Sequence, residues 1–467
     1  MCGICAINIQ NDYEIECKMT ENAGNIFQIQ RSAKRIDFQD IDKLYREKLT
    51  RLIVERANDD YLPWAEFRNK SWVPQESAEG LWHIIFSNRI FGRKATPIVD
   101  GQIGAYAFDP HRHTQFLHEI DLEFGGNMLG IKDFSEGDKR QIVRRNLIEE
   151  SIASSKLEGA NTSREAARRM LHEGRKPRDK SERMIVNNHQ AMLQIEEKFK
   201  DSPMSLDTIF DLHRTVTSGT LDDPSHEGKL RDTFDVNGQR LKIMPWDETT
   251  VTYIAPDRDF VEAQLPRFID FANDTDGSGF IHPLFKAIML HFWIGLLHPF
   301  EDGNGRLARI MFYWYMLRKG YWAFAYLSLS ERIQKSPKQY AMAYIYSEQD
   351  NYDLNYFIQY NVEKLQLARG ELQDYLKQKI AENKRHNNLL LGENALNRRQ
   401  FNLLQHLSKD EQRNTSVASY NKINPEIGYI TAVSDLKALV EKGLLKKVKT
   451  GRNVNYFPTE KTAKLMR

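Results

Sequence analysis

The sequence predicts a mainly α-helical protein, with a mixed N-terminal region, a helical core that carries a β-hairpin flap, and a C-terminal winged helix-turn-helix. Three observations lead to this fold class. Apolar residues recur at helical spacing on both sides of residues 298–309. The pair Asn237-Gly238 lies between short apolar stretches, a strong signal for a hairpin turn. Near the C-terminus, three helical segments precede a stretch that alternates around Gly451.

Length and composition are those of a multi-domain globular protein. The chain has 467 residues, of which 41% are hydrophobic and 28% charged. No apolar run approaches the length of a membrane span, and the first residues lack the basic-then-apolar pattern of a secretory signal. Only 3 cysteines are present, which is no disulfide framework. We therefore expect a cytoplasmic protein that does not associate with membranes.

Pattern changes along the chain predict four regions. Residues 1–110 form an N-terminal region, which we interpret as serving target recognition or dimerisation. Residues 111–360 form a helical core, 361–394 a helical linker and 395–467 the winged-helix module.

The N-terminal region has both helical and extended signals. Residues 41–57 have helical periodicity, whereas residues 82–91 and 101–108 are predicted as strands. Nothing in this region indicates a particular chemistry.

The core begins with a helix and continues with the flap. A helix is predicted over residues 142–157, ended by Gly159, because glycine tolerates the left-handed conformation that ends many helices. Residues 234–236 and 241–243 are predicted to pair around the Asn-Gly turn. The resemblance to a known family described below implies that residues 253–256 close this hairpin into a flap. Its exposed edge is suited to aligning a peptide by strand addition.

Residues 298–309 lie between two predicted helices and hold two groups suited to catalysis. An imidazole titrates near neutral pH, so His298 is a candidate general base for an incoming hydroxyl. The carboxylate of Asp302 is a hard oxygen ligand suited to Mg²⁺ carried by phosphates.

The rest of this run is suited to binding phosphate. Gly303, Asn304 and Gly305 form a tight loop that points backbone N–H groups at an anion, and the following helix adds its positive end. Arg306 and Arg309 offer planar donor groups that match phosphate oxygens. The whole run therefore predicts phosphoryl or nucleotidyl transfer, in which catalysis is mostly positioning and neutralisation of charge.

Residues 298–309 resemble, without a gap, the signature of the Fic family, His-Pro-Phe-x-Asp/Glu-Gly-Asn-Gly-Arg-x-x-Arg. The resemblance implies transfer of AMP from ATP onto a protein hydroxyl. It implies that His298 is the base, that Asp302 holds Mg²⁺, that the three loop residues bind phosphate, and that Arg306 and Arg309 bind the outer phosphates. Family members that act as kinases have lysine at the position of Gly305, so AMP transfer is favoured here.

A second segment resembles the inhibitory motif of the family, Ser/Thr-x-x-x-Glu-Gly/Asn. It begins at Ser154 and includes Glu158 and Gly159. The resemblance implies that Glu158 forms an ion pair with Arg309 and so prevents productive binding of the nucleotide.

Two further stretches match family features less specifically. Gly228 and Arg231 fit the Gly-x-x-Arg segment that opens the flap. Tyr340 and Tyr344, one helical turn apart, fall where the family builds the adenine pocket, although tyrosines at this spacing are also common in a core.

The C-terminal module is strongly basic. Residues 395–467 hold 14 Lys/Arg and 6 Asp/Glu, a net charge of +8, whereas the whole chain is only +2. Such a module suits contact with the phosphates of DNA, but winged-helix folds also bind proteins, and the sequence leaves both open.

Three functions remain open on the sequence. The first is an autoinhibited protein adenylyltransferase that acts on a Ser, Thr or Tyr of another protein or of itself. The second is an enzyme that removes AMP with the help of Glu158. The third is a DNA-binding regulator whose Fic fold is not catalytic. The intact signature, with His298, Asp302, Asn304 and Arg309 in place, favours the first.

Overall fold

The computed structural model describes residues 28–29, 48–99, 104–126, 136–235, 237–243, 251–391, 396–408, 413–425, 427–450 and 453–466. The chain divides into two compact units, residues 1–372 and 373–467. Helices dominate both units, as the sequence predicts, and the sheets are small two-stranded antiparallel pairs. Among the described helices, none has both the length and the apolar character needed to cross a membrane.

The N-terminal part of the first unit contains three helices and a strand pair. They are α1 (Lys48–Asp59), α2 (Trp64–Phe67), α3 (Ala78–Phe91), β1 (Lys94–Val99) and β2 (Ala105–Phe108). Strand β1 pairs antiparallel with β2. The expected helix at 41–57 is confirmed from residue 48 onward, and the expected strand at 101–108 from residue 105 onward; the earlier residues of both lie outside the described part, as do all three cysteines.

The prediction of a strand over residues 82–91 was wrong, because these residues belong to helix α3. A short apolar run does not distinguish a strand from a buried helix. Here Leu81, Trp82 and Ile85 pack with residues of α1 and α2 into one buried cluster. The run is therefore the apolar side of a helix that begins four residues earlier.

The rest of the first unit, up to residue 349, contains ten helices and a short strand pair among the described residues. They are α4 (Thr114–Ile120), α5 (Glu136–Leu157), α6 (Arg164–Glu173), α7 (Lys180–Gln194), α8 (Leu206–Thr217), β3 (Lys242–Ile243), β4 (Tyr253–Ile254), α9 (Arg258–Ala272), α10 (Pro283–Leu297), α11 (Asn304–Arg318), α12 (Leu329–Gln334) and α13 (Pro337–Gln349). Helices α10 and α11 pack against each other at the centre, and α5 packs against α7, α11 and α12.

Helix α10 is apolar on every side, which is typical of a helix buried in a core. Pro283 occupies its first turn, where the missing N–H costs nothing, and the His282 side chain accepts from the N–H of Leu284. The helix ends at His298, whose φ of 44° lies in the left-handed region. The end of this buried helix therefore places His298 next to the start of α11.

Helix α14 (Asn355–Leu391) follows and includes residues 361–391 of the segment predicted as a linker, whose last three residues lie outside the described part. The second unit contains α15 (Arg398–Leu407), α16 (Val417–Ile423), α17 (Tyr429–Glu441), β5 (Leu445–Thr450), β6 (Asn453–Pro458) and α18 (Glu460–Met466). The three helices and the hairpin occur in the predicted order. Leu404, Leu436 and Tyr456 contribute to one buried cluster, so this unit has a core of its own.

Candidate active site

The loop between α10 and α11 is closed by side-chain hydrogen bonds. The backbone N–H of Phe300 donates to Asn304 Oδ1 at 3.0 Å, and Asn304 Nδ2 donates to the Phe300 carbonyl at 2.8 Å. Gly303 has a φ of 85°, and a Cβ there would lie 2.7 Å from Thr217 Cγ2. Both the backbone conformation and the available space therefore require glycine at 303.

His213 on α8 supports this loop, a role that the sequence analysis missed. Its ring stacks on Phe300 with centroids 3.7 Å apart. Nδ1 accepts from the N–H of Gly228 at 3.0 Å, so Nε2 carries the proton and donates to the carbonyl of Asp302 at 2.8 Å. Burial lowers the pKa of His213 to about 4, which keeps the ring neutral, as this arrangement requires.

His298 lies at the turn between the two helices and lines a cavity. Its Nδ1 is 3.4 Å from the carbonyl of Gly295, which leaves Nε2 available to accept a proton. Burial, followed by the nearby charge of Arg231, lowers the pKa of His298 to about 4. The imidazole is therefore neutral near pH 7, the form that a general base needs.

Arg231 ties the loop to the flap. Its Nε donates to the carbonyl of His298 at 2.7 Å, its Nη2 to the carbonyl of Pro256 at 2.6 Å, and its backbone N–H to the carbonyl of Pro299 at 3.0 Å. One side chain thus fixes both the backbone at His298 and the end of the flap. In the sequence, only the short Gly-x-x-Arg pattern indicated this residue.

The flap pairs differently from the sequence prediction. Phe234 bridges to Arg240 around the Asn-Gly turn, but β3 pairs with β4, Lys242 opposite Ile254, instead of with residues 234–236. The main ladder thus joins the two sides of a longer loop, whose residues 244–250 lie outside the described part, as does residue 236. The Asn-Gly signal located the turn correctly but not the longer pairing, because turn signals are local.

Asp302 and Arg306 lie beside the cavity and do not line it. Asp302 Oδ1 accepts from the N–H of Gly303 at 2.5 Å, Oδ2 is 3.5 Å from Arg306 Nη2, and the Asp302 side chain is 46% exposed. Arg306 is fully buried, and its Nη1 donates to the carbonyl of Val216 at 2.6 Å. The structure therefore places Arg306 within the fold, although the sequence suggested a phosphate ligand.

Arg309, one turn into α11, is buried and contacts the end of α5. Its Nε donates to Ser154 Oγ at 2.8 Å, and its Nη2 donates both to the Ser154 carbonyl and to Glu158 Oε1, each at 2.9 Å. Burial acts to lower the pKa of Arg309, but the Glu158 carboxylate outweighs it and the pKa is raised. The expected ion pair between Glu158 and Arg309 is present.

The Glu158 carboxylate also lies against the first turn of α11. A Cβ on residue 305 would lie only 2.2 Å from Glu158 Oε1, so the bare Cα of Gly305 makes this approach possible. The Glu158 carboxylate therefore contacts both the Arg309 guanidinium and the positive start of α11. An anion entering this place would have to displace the carboxylate.

Helix α5 is anchored by Glu150, a buried carboxylate that the sequence analysis did not single out. Glu150 Oε2 accepts from the Tyr313 hydroxyl at 3.1 Å and from the Ser328 hydroxyl and the Ser330 N–H, each at 3.0 Å, and the Ser330 hydroxyl also donates to this carboxylate. Burial raises the pKa of Glu150. Glu149 and Ser151 flank it in the sequence, so its neighbourhood gave no signal of this role.

These groups meet around one cavity of about 280 Å³. The predicted residues that line it are Glu158, His298, Asn304, Gly305 and Arg309. Tyr340 and Tyr344 also line it, which agrees with a pocket role for both. The flap supplies Ile243, Thr252 and Tyr253. A neutral imidazole, a helix start and a buried arginine thus face one space, the arrangement needed to hold phosphates beside a base.

The comparisons with known proteins agree with this arrangement. Residues 203–316 match the Fic/DOC family. Protein adenylyltransferase fic-1 of Caenorhabditis briggsae is 33% identical over 118 residues, which cover 25% of this chain and 20% of that protein. Protein adenylyltransferase Fic of Nematostella vectensis is 27% identical over 122 residues, 26% of this chain and 25% of that protein. The chain therefore spans about a fifth to a quarter of these relatives.

One solved structure has a similar fold over most of the chain. A Fic family protein from Desulfovibrio desulfuricans G20 aligns with a TM-score of 0.51 and 17% identity, covering 75% of this chain and 98% of that one. At this identity the likeness supports the fold.

Proposed function

We propose that this chain, whose residues 203–316 match the Fic/DOC family, is an autoinhibited protein adenylyltransferase. It transfers AMP from ATP to a Ser, Thr or Tyr hydroxyl of a protein, which can be the chain itself. The observation that carries the proposal is the cavity where His298, the start of α11 and Arg309 converge while Glu158 is paired with Arg309.

In the proposed reaction, His298 Nε2 takes the proton of the target hydroxyl. The hydroxyl oxygen then bonds to the α-phosphorus of ATP, the bond from that phosphorus to the bridging oxygen breaks, and pyrophosphate leaves. The neutral state of His298 supports its role as base. The flap lies beside His298 and supplies a strand edge along which a target segment can align.

The first turn of α11 and Arg309 bind the phosphates. The backbone N–H groups at the start of this 15-residue helix suit an anion, and Gly305 lets a phosphate approach closely. Arg309 supplies the guanidinium for the outer phosphates. Arg306 is buried and contacts Asp302 and the carbonyl of Val216 on α8, so in this proposal it acts by positioning Asp302.

The carboxylate of Asp302 is suited to Mg²⁺ on the phosphates. It is half exposed and lies at the start of α11, and Mg²⁺ commonly uses one or two carboxylates together with substrate oxygens. When bound there, Mg²⁺ supplies neutralisation of the phosphate charge. Asp302 is held for this role by the N–H of Gly303 and by Arg306.

Autoinhibition follows from the competition between Glu158 and phosphate for Arg309. The carboxylate already satisfies the guanidinium, so a phosphate gains little by replacing it. Without Glu158, Arg309 still donates to Ser154 and is held in place, but its charge is free for ATP.

The test is incorporation of label from ATP labelled at the α-phosphate, with Mg²⁺, into wild type, Glu158→Gly and Glu158→Gly with His298→Ala. We expect strong labelling only in the single variant. Glu173→Gly is the matched control, because Glu173 also stands at a helix end directly before a left-handed glycine but does not line the cavity. Equal labelling of wild type and Glu158→Gly would refute autoinhibition, and release of AMP from a labelled protein would favour AMP removal.

For the C-terminal unit we propose contact with DNA phosphates. Lys446, Lys447 and Lys449 are all exposed on β5, and the region is strongly basic. Such a strand supplies the sequence-independent part of DNA binding. Binding of a labelled duplex that weakens steeply with salt would support the proposal, whereas no binding at low salt would favour protein docking.

A further inference from the structure

One face of α13 forms a wall of the cavity and ends in a carboxyl group that the proposed reaction does not use. The residues of this face are Pro337, Tyr340, Ala341, Tyr344, Ile345 and Glu348. Along the sequence, the intervals between these residues alternate between three positions and one. This spacing puts them on the same side of a helix. Glu348 is eight residues beyond Tyr340, roughly 12 Å along the helix axis.

Tyr340 marks the end of this wall where the phosphates are proposed to bind. Its hydroxyl is 2.8 Å from His291 Nε2, and it hydrogen-bonds with Arg309. Glu348 therefore lies toward the opposite end of the cavity, where the base of a nucleotide with phosphates at Arg309 would lie.

Between these two ends, Gly295 on α10 makes room for Tyr344. A Cβ on residue 295 would lie 2.5 Å from the Tyr344 hydroxyl, which donates to the carbonyl of His291 at 3.3 Å. The wall is thus held in place by α10, and Glu348 follows one turn later.

Glu348 has no hydrogen-bond or ion-pair partner among the described residues, and burial raises its pKa to about 8. Other titratable groups line the same cavity: His298, Glu158 and Arg309 at the phosphate end, Tyr253 from the flap, and Tyr340 and Tyr344 on its own helix. None of these groups counteracts the rise in the pKa of Glu348 that burial causes. The Glu348 side chain is partly exposed, on the wall of the cavity. A carboxyl group that is mostly protonated at pH 7 and has no partner in the protein keeps one donor and one acceptor for a ligand.

We propose that Glu348 is the residue that recognises the adenine base, its O–H donating to N1 and its carbonyl oxygen accepting from the N6 amino group. This inference rests on the proposed function, which puts ATP in the cavity. The edge of adenine offers one acceptor beside one donor, which a neutral carboxyl complements. An ionised carboxylate would instead face the lone pair of N1, and would suit the two adjacent donors of guanine.

The test compares the equilibrium binding of ATP and of 1-deaza-ATP, in which N1 is a C–H, to the full chain at pH 7. Loss of one hydrogen bond to the base should weaken wild-type binding about tenfold. Glu348→Gln keeps one donor and one acceptor and should show the same ratio. Glu348→Ala should bind both nucleotides equally. The matched control is Glu363→Ala, an exposed residue of α14 outside the cavity.

Equal binding of the two nucleotides by wild type, or a tenfold ratio that persists in Glu348→Ala, would overturn the proposal. A loss seen with 7-deaza-ATP instead of 1-deaza-ATP would also overturn it, because the other edge of the base would then be the one recognised.

A second readout uses pH. The affinity of wild type for ATP should fall as pH rises through about 8, where Glu348 ionises, while Glu348→Gln should stay unchanged. A parallel fall in both would overturn the proposal, since it would come from another group.

Binding does not depend on AMP transfer, so the two proposals fail separately. If ATP binds with the expected dependence on N1 but no protein is labelled, the adenylyltransferase proposal fails. If label is transferred but Glu348→Ala distinguishes the two nucleotides as wild type does, the role of Glu348 fails.

Discussion

Arg309 and Glu158 are 151 residues apart in the sequence and 2.9 Å apart in the structure. Helix α5 brings the carboxylate to the arginine, and the missing side chain at residue 305 leaves the space for it. The contact joins a helix to the catalytic loop at the place where we propose that phosphate binds.

The first prediction concerns Arg309. In the Glu158→Gly background, Arg309→Ala should raise the KM for ATP and reduce labelling at least tenfold, because a charge-assisted hydrogen bond to phosphate is worth roughly 1.5–3 kcal/mol. The measurement is the initial rate of AMP incorporation as a function of ATP concentration. Unchanged kinetics would rule out the phosphate role of Arg309.

The second prediction concerns the anchor of α5. Glu150→Ala leaves the hydroxyls of Ser328 and Ser330 without their acceptor, at a cost of roughly 1–3 kcal/mol in the free energy of unfolding, while the Tyr313 hydroxyl still donates to the Leu327 carbonyl. We expect the end of α5 to loosen and AMP incorporation by the otherwise wild-type chain to rise.

The control for this anchor is the neighbouring residue. Glu149→Ala removes ion pairs to Arg164 and Arg168 on α6 but leaves the contacts to α11 and α12. Labelling and unfolding in urea should be measured for both variants. A similar rise in both would mean that any loosening of α5 is sufficient, and that Glu150 has no special role.

The third prediction concerns pH and stability. His213 and His298 each have a pKa of about 4 in the folded chain, below the ordinary 6.5. The unfolded chain therefore binds more protons between these values, and the folded state loses stability as pH falls from 6.5 toward 4. The slope is at most about 1.4 kcal/mol per pH unit for each histidine.

Urea denaturation at pH 7, 6 and 5 measures this loss. His213→Phe, which keeps a ring over Phe300, should flatten the dependence, although it also removes two hydrogen bonds. The same lowered pKa of His298 predicts that kcat/KM of the Glu158→Gly variant shows no inflection at pH 6.5. An inflection there would mean that the catalytic base titrates as an ordinary histidine.

The fourth prediction concerns the basic hairpin. Replacing Lys446, Lys447 and Lys449 by Ala should weaken binding of any DNA duplex to a similar degree. It should also lower the slope of log affinity against log salt by up to about 3. Lys437→Ala is the control, because Lys437 is already paired with Glu441. A variant that binds as wild type does would show that β5 is not the DNA contact.

The sequence predicted those parts of the site that depend on local spacing. The loop within residues 298–309 is closed by residues of the same run, because the Asn304 side chain forms hydrogen bonds with the backbone of Phe300, four residues earlier. Glu158 was singled out because its segment resembles a family motif, lies at a predicted helix end and precedes the signature by about 140 residues. The C-terminal elements were also found, because each has a clear period and a clear turn.

The parts that sequence analysis missed depend on contacts between distant segments. His213 reaches Asp302 across 89 positions, and Glu150 reaches Ser330 across 180. Nothing in the neighbourhood of either residue distinguishes it from an ordinary core residue. Arg306 was given a phosphate role because of its residue type, whereas its direction depends on the packing of α8 against α11. Helix α3 was assigned as a strand because its apolar run is short.

Two carboxylates near the end of α5 have different roles: Glu150 anchors the helix, and Glu158 pairs with Arg309. Glu150 fixes the helix deep in the core, while Glu158, two turns later, lies just past its last helical residue and is held by one arginine. The final turn can therefore unwind without disturbing the anchor. On the proposed function, a substitution at residue 158 changes the threshold for release and leaves the Glu150 contacts in place, so regulation and the anchoring of α5 can be changed separately.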